Sequence, residues 1–340
     1  MKRESALRVS AVDYHTAGEP FRIVSAGLPP LPGDTVLDRR DYARSGAYET
    51  LRLLMVNEPR GHADMYGGFI VPPDDDGAHF GVLFWHKDGY STACGHGAIA
   101  LGAWAIDTGR VVAPDNGEVS VVVDVPSGRV EVLVQRAHGR NASISFRNVK
   151  SHSVAVNVDV QLEQSTLAVD IAFGGAIYAA VRADDVGLRV VPEDLGRLIE
   201  AGRAVKAALA GHPLTLVEGE HRLSGVYGVI FYEELPPPTE DATALRQRNV
   251  TIFADGQVDR SPCGSGTSAR LCSLYARGKI AIGQLLEHES IVGSVFHASI
   301  TSVEPNGNID TTITGTAYQT GTHEFVLVPE DELGLGFVLR

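Results

Sequence analysis

The chain has 340 residues, 44% hydrophobic and 21% charged, with 29 Lys and Arg against 42 Asp and Glu and a formal net charge of −13. That length exceeds what one core usually holds and predicts about two domains. An acidic balance without a basic stripe argues against nucleic acid or an anionic membrane as partner. No apolar run approaches the roughly 18–20 residues of a membrane span.

Three cysteines, Cys94, Cys263 and Cys272, are an odd and small number, which predicts a reducing cytoplasm rather than a disulfide scaffold. The basic start Met1–Ser5 is followed by mixed residues with no apolar h-region, so no secretory signal is expected.

In chain order, Leu7–Val12 and Phe21–Val24 read as strands on either side of Asp13–Pro20, a hairpin-like opening. Leu28–Gly33 is a rigid Pro-rich loop. Asp41–Met55 has helical spacing, with Tyr42, Leu51, Leu54 and Met55 pointing inward. A polar loop, Asn57–Asp64, leads to the strands Met65–Val71 and Phe80–Trp85, which flank an acidic turn at Pro72–Ala78.

Beyond the apolar helix Ala98–Ile106, β-branched or alternating strands follow at Val119–Val125, Arg129–Gln135, Ser143–Phe146, Ser153–Val158 and Leu167–Ala172. Phe173–Tyr178 resembles the earlier turn-to-strand passage Gly18–Val24 and marks the start of a second half. Pro192–Ala210 is an amphipathic helix, Leu235–Thr239 a solvent loop and Asn249–Phe253 a strand. The strands Ser294–Val303, Asn308–Thr314 and Glu324–Val328 complete the chain.

Two short stretches carry the chemistry. Cys94-Gly95-His96-Gly97 opens one helix, and Asp259-Arg260-Ser261-Pro262-Cys263-Gly264-Ser265-Gly266 opens another. A shift of 263 − 94 = 169 positions superposes the cysteines, Gly95 on Gly264, Gly97 on Gly266, and the helix-ending Gly109 on Gly278. A helix N-terminus carries unpaired N–H groups and about half a positive charge, a ready site for a carboxylate. A thiol there is expected to titrate at roughly 3.5–7.5 instead of about 8.5.

Two such units facing each other would clamp one carboxylate and put a sulfur on each side of the neighbouring carbon. A reach of about 3–3.5 Å from each sulfur sets the two roughly 7 Å apart. Removing a proton on one face and returning one on the other inverts that carbon. The bland alternatives are buried structural thiols, or a zinc or disulfide switch. Cys-x-His is an unusual ligand spacing and no fourth ligand presents itself, so no metal is expected. Cys272 falls mid-helix among Leu271, Leu274 and Tyr275 and reads as core.

With Asp13–Pro20, Glu58–His62, Cys94–Gly97, Phe173–Gly175 and Asp259–Gly264 in view, the sequence resembles the proline racemase family over nearly its full length. The resemblance implies an α+β, diaminopimelate-epimerase-like fold of two pseudo-symmetric halves, each with strands wrapped round a central helix. It assigns residues 1–165 plus roughly 318–340 to the half with Cys94 and 166–317 to the half with Cys263, with the active site in the cleft between them.

It implies cofactor-independent acid/base chemistry by Cys94 and Cys263. Gly95, Gly264 and Ser265 would hold the substrate carboxylate, and His96 and Asp259 would lie near the ring nitrogen or assist the thiols. The partner is then a small molecule, proline or a hydroxyproline, and a homodimer is compatible with this reading. The family includes racemases, 4-hydroxyproline 2-epimerases and trans-3-hydroxy-L-proline dehydratases. Cys263, where family dehydratases commonly carry Thr, favours inversion. Ser91-Thr92-Ala93, in place of the Met that often precedes the first cysteine, resembles the dehydratase branch, as does Asp64-Met65-Tyr66. Inversion at the α-carbon is the expectation and dehydration the alternative.

Overall fold

The structure, a computed structural model, describes residues 6–163, 165–237, 239 and 243–339. Met1–Ser5 and Pro238 of the expected solvent loop lie outside the described residues. The first half runs β1 (Leu7–Thr16), β2 (Glu19–Ala26), α1 (Val36–Ala43), α2 (Gly46–Val56), β3 (Tyr66–Val71), β4 (Phe80–His86), β5 (Gly89–Tyr90) and α3 (Gly95–Asp107), followed by β6 (Gly117–Val125), β7 (Gly128–Ala137) and β8 (Arg140–Arg147).

β9 (His152–Gln161) leads into the second half, which comprises β10 (Thr166–Phe173), β11 (Ile177–Arg182), α4 (Leu195–Ala208), β12 (Val226–Glu234), β13 (Leu245–Phe253), β14 (Gln257–Asp259), α5 (Gly264–Ala276), β15 (Leu286–Ser290), β16 (Val295–Val303) and β17 (Ile309–Gly315). β18 (Ala317–Leu327) follows.

The duplication seen at the cysteines extends to the whole topology. β1–β2 is antiparallel, β2–β3 parallel, β3–β4 antiparallel and β4–β6 parallel, then β6, β7 and β8 form a meander. β10–β11, β11–β12, β12–β13 and β13–β15 repeat that sequence of senses, and β15, β16 and β17 form the second meander. The two meanders join edge to edge through β8 and β17. β9 and β18 then cross over: β9 pairs with β10, and β18 runs back to pair with β1.

α3 packs against β1, β2, β6, β7, β8 and β18, while α5 packs against β9, β10, β11, β16 and β17. The sequence division near residue 165 therefore differs from the packing, which gives β9 to the second helix as it gives β18 to the first. Crossing strands satisfy their ladder hydrogen bonds in the other half, which ties the halves together.

Local pattern explains the walls. In β6 and β7 Val121, Val123, Val125, Val130, Val132 and Val134 are buried at every second position and form one face over α3. α3 is enclosed on all sides, so its sequence Ala98–Ile106 is apolar around the full turn. α5 is equally buried but carries Ser265, Thr267, Ser268, Arg270 and Ser273. Arg270 is fully buried. Its Nε donates to Gln247 Oε1 at 3.0 Å, its Nη1 to Asp170 Oδ2 at 3.4 Å, and its guanidinium stacks 3.7 Å over the Tyr232 ring.

Three expectations change. The helix expected over Asp41–Met55 is two helices, because Ser45 is extended and Gly46 takes a positive φ of 66° between them. Tyr42, expected inward, is 58% exposed, whereas Leu51, Leu54 and Met55 are buried. The last strand begins at Ala317 rather than Glu324, because β1 offers it a full-length partner. Among the described residues no helix is long and apolar enough to cross a membrane.

Asp170 also accepts from Arg277 at 2.6 and 2.7 Å, so it serves two guanidinium groups at once. Asp170→Ala strands a buried Arg270 and is expected to cost about 3–5 kcal/mol in urea unfolding. A loss below about 1 kcal/mol would show that Gln247 and Tyr232 suffice to hold it.

Candidate active site

β4 and β5 deliver the chain to Cys94, and β13 and β14 deliver it to Cys263, each at the N-terminus of its helix. The two helices meet nose to nose. A Cβ on Gly95 would lie 2.5 Å from Gly264 Cα and 2.6 Å from Ser265 N, and one on Gly264 would lie 2.7 Å from Gly95 Cα. Only glycine permits this approach. The third residue after each cysteine is glycine for a related reason. A Cβ on Gly97 or Gly266 would fall 2.8 Å from the sulfur of Cys94 or Cys263, so each thiol curls over the first turn of its own helix. The Gly97 N–H donates to Cys94 Sγ at 3.2 Å.

The cysteines differ in backbone. Cys94 is extended, with φ −156°, whereas Cys263 has φ 65°, in the left-handed region. Such a conformation costs a non-glycine residue of order 1–3 kcal/mol and persists only where its surroundings impose it. Those surroundings are specific. Ser261 N–H and Oγ donate to Asp259 Oδ1 at 2.8 and 2.7 Å, and Cys263 N–H donates to Ser261 Oγ at 3.1 Å. From the first half, Glu19 Oε2 accepts from the Arg260 N–H at 2.7 Å and pairs with its Nε at 2.8 Å.

Both thiols face one small space, also lined by Tyr66, His96, Tyr178, Tyr227, Thr251, Phe253, Asp259 and Ser265. His96 Nε2 is 3.4 Å from Cys94 Sγ, and His96 Nδ1 is 3.5 Å from Asp259 Oδ2. The chain Cys94–His96–Asp259 thus crosses from one half to the other. Ser265 Oγ shares a 2.7 Å hydrogen bond with Tyr178 OH, and Cys263 Sγ lies 3.9 Å from the same hydroxyl. On the opposite wall Tyr66 OH is hydrogen-bonded to Ser91 Oγ and, at 3.1 Å, to Tyr227 OH.

All the site residues named by the sequence, Cys94, Gly95, His96, Asp259, Cys263, Gly264 and Ser265, come together here. The tyrosines and Thr251 were not singled out as site residues, because nothing in an apolar strand pattern marks which member faces a ligand. Tyr66 and Tyr178 did stand inside quoted motif segments, which was the available signal. Glu19 is a further addition. It is fully buried, its Oε1 has no hydrogen-bond partner among the described residues, and burial raises its pKa well above the usual range despite Arg260. Cys272 is buried core, as expected, and all three cysteines are free.

The electrostatics correct one expectation. Burial pushes both thiols above their ordinary value, outweighing the first-turn amides, and the nearby Asp259 charge pushes the same way. A helix end lowers a thiol pKa only where water still helps to solvate the anion. Burial also opposes the ionisation of Asp259, but the adjoining His96 ring and the Ser261 hydrogen bonds together hold it below the ordinary carboxylate value.

The arrangement gathers two helix N-termini, a carboxylate–imidazole pair and two thiols around one space. The sequence profile described as proline racemase matches residues 11–338, and the chain belongs to that family. A trans-3-hydroxy-L-proline dehydratase of Bacillus cereus is 41% identical over 97% of this chain and 98% of its own length. A trans-L-3-hydroxyproline dehydratase of Xenopus tropicalis is 38% identical over 98% of this chain and 95% of its own. Among solved structures, a hydroxyproline epimerase of Agrobacterium vitis with bound trans-4-hydroxy-L-proline matches with a TM-score of 0.89 and 30% identity, covering 98% of this chain and 96% of that one. The α+β architecture expected from the sequence is the one these relatives have.

Asp259→Asn keeps the acceptor for Ser261 and removes the charge that opposes both thiolates. The pH midpoint for iodoacetamide alkylation of Cys94 and Cys263 is expected above 9.0 in the native chain and lower in the variant. An unmoved or raised midpoint would mean that Asp259 does not act on the sulfurs.

Proposed function

We propose that this protein dehydrates trans-3-hydroxy-L-proline. The observation that carries the reading is the pair of hydroxyls, Tyr66 and Tyr227, on the cavity wall with Cys94 and His96, backed by Ser91 through its hydrogen bond to Tyr66, in a chain whose curated relatives at 38–41% identity include dehydratases of that compound. In this substrate the carboxylate and the 3-hydroxyl lie on opposite ring faces, so the α-hydrogen and the hydroxyl share a face. One side of the cavity can therefore serve both bond cleavages.

In the proposed sequence, the substrate carboxylate sits on the N–H groups of Gly95, Gly264 and Ser265, and the charged ring amine faces Asp259. Cys94 gives its proton to His96 and, as thiolate, takes the α-proton. Negative charge spreads into the carboxylate, where the two helix ends stabilise it. The protonated His96 returns its proton to the departing 3-hydroxyl, which Tyr66 and Tyr227 hold as it leaves as water, with Ser91 positioning the Tyr66 hydroxyl. The enzyme regains its starting protonation, and the enamine product tautomerises to the cyclic imine. The buried site raises the cost of the free thiolate and strengthens every one of these interactions. Closure round a zwitterion brings a positive amine beside the thiols, which favours ionisation when substrate is present.

A second reading has a specific observation behind it. Cys263 retains a thiol on the far side, and the epimerase of known structure is similar over nearly the whole chain. Protonation of the α-carbon by Cys263 would then invert the centre instead of expelling water.

The test is incubation with trans-3-hydroxy-L-proline, trans-4-hydroxy-L-proline and L-proline in D₂O, following imine formation, rotation and α-deuteration. Imine from the first compound is expected at a higher kcat/KM than inversion of the others, and the reverse order would establish the epimerase. Cys94→Ser should lower dehydration by about 10³-fold or more, whereas Cys263→Ser should retain about a tenth of it. Ser91→Ala is expected to slow imine formation roughly 10–100-fold while α-deuteration continues. Equal loss of both would remove Ser91 from the leaving-group role.

A further inference from the structure

A second cavity, about 210 Å³, opens beside the first and straddles the halves. Its wall carries Arg40 from α1, Lys206 from α4 and Arg222 from the loop before β12, with His86 and Ser91 also lining it. Tyr227 lines both cavities, and Ser91 reaches the inner one through its hydrogen bond to Tyr66. Ser91 and Tyr227 thus stand where the two spaces adjoin.

The positive charge here is unusual for a chain with a net charge of −13. Arg222 is neutralised across the halves by Asp38 at 2.8 Å and Asp41 at 3.3 Å, and within its own loop by Glu220 at 2.6 Å. Arg40 donates to the Tyr90 carbonyl at 3.1 and 2.8 Å, and among the described residues its one ion pair is with the Asp41 carboxylate, at 3.7 Å.

Lys206 stands apart. Among the described lysines, Lys87, Lys150 and Lys279 each hold a carboxylate at 2.6–2.9 Å. Lys206 instead donates to the carbonyls of Tyr227, at 3.1 Å, and Ala254. Burial lowers its pKa to about 8, and Asp88 and Asp255 offset this only in part. A largely buried ammonium held by neutral dipoles and facing a cavity gains most from an anion. Neighbouring His86 is driven down to about 3 by burial, so it adds no charge but can donate a hydrogen bond.

We propose that this cavity is a carboxylate-binding vestibule, in which Lys206 and Arg40 take the carboxylate of an incoming amino acid before it passes Ser91 and Tyr227 to the helix ends. The identity of that amino acid rests on the reading in the preceding subsection; the anion site itself does not.

Two measurements test it. On the native chain, acylation of lysines by an N-hydroxysuccinimide ester is mapped by mass spectrometry in acetate and in chloride at equal ionic strength. Acetate is expected to lower Lys206 labelling at least threefold, with Lys87, Lys150 and Lys279 unchanged. No protection, or equal protection by chloride, overturns the site whatever the enzyme's substrate proves to be.

In turnover of trans-3-hydroxy-L-proline, Lys206→Met is expected to lower kcat/KM about tenfold at low salt, with kcat within about twofold and a flatter salt dependence, and Lys206→Arg should restore it. An unchanged kcat/KM, or a fall in kcat alone, overturns the vestibule role. Acetate protection with unchanged kcat/KM would mark an anion site off the substrate's path and overturns the proposal in that form.

Discussion

Two positive helix ends held in contact are the constraint on which this molecule depends. Each end concentrates about half an elementary charge, and Gly95 and Gly264 bring the two together with no side chain between them. Nothing local favours that meeting. It is imposed by two β walls that join through β8 and β17 and exchange β9 and β18, so that neither helix can withdraw without breaking ladders in both halves. Under the proposed function the substrate carboxylate offsets that positive charge, with its two oxygens set toward the two first turns. Its α-carbon would then lie in the space that both thiols line.

Burial and helix dipole compete at those thiols, and burial prevails in the unliganded site. The consequence is chemical restraint. Burial and the nearby Asp259 charge both disfavour the thiolates of Cys94 and Cys263. Under the proposed function the substrate's carboxylate faces the helix ends and its amine faces Asp259. Lys206 and Arg40 lie on the wall of the adjoining cavity, where the carboxylate is the half of such a molecule that they would meet first.

The halves share a topology but not a chemistry. Shifted by 169 positions, Asn249, Thr251 and Arg270 fall on Phe80, Val82 and Leu101. The first half is dry around α3, whereas the second carries a polar face beneath α5, including His288 hydrogen-bonded to Thr267 at 2.8 Å. The cysteines follow suit. Cys94 has an imidazole 3.4 Å away, while Cys263 has a tyrosine hydroxyl at 3.9 Å and a left-handed backbone. Two thiols in such unlike settings suit a reaction whose two sides do different work.

Much of this was legible in the residues themselves. The repeated Cys-Gly-x-Gly grammar reveals the duplication and the helix starts, because glycine at those positions has few other uses. Alternating valines in β6 and β7 mark a half-buried wall. Less legible were the break at Ser45–Gly46, the outward turn of Tyr42 and the thiol titration, each decided by neighbours distant in sequence. By itself the sequence determined which side chains can do chemistry and that they come in two matched units, since both follow from local spacing. Only the tertiary structure decided that the units converge, that Tyr66, Tyr227 and Thr251 join them, and that water is largely shut out. Convergence and desolvation are properties of surfaces brought together, and no single stretch of chain contains them.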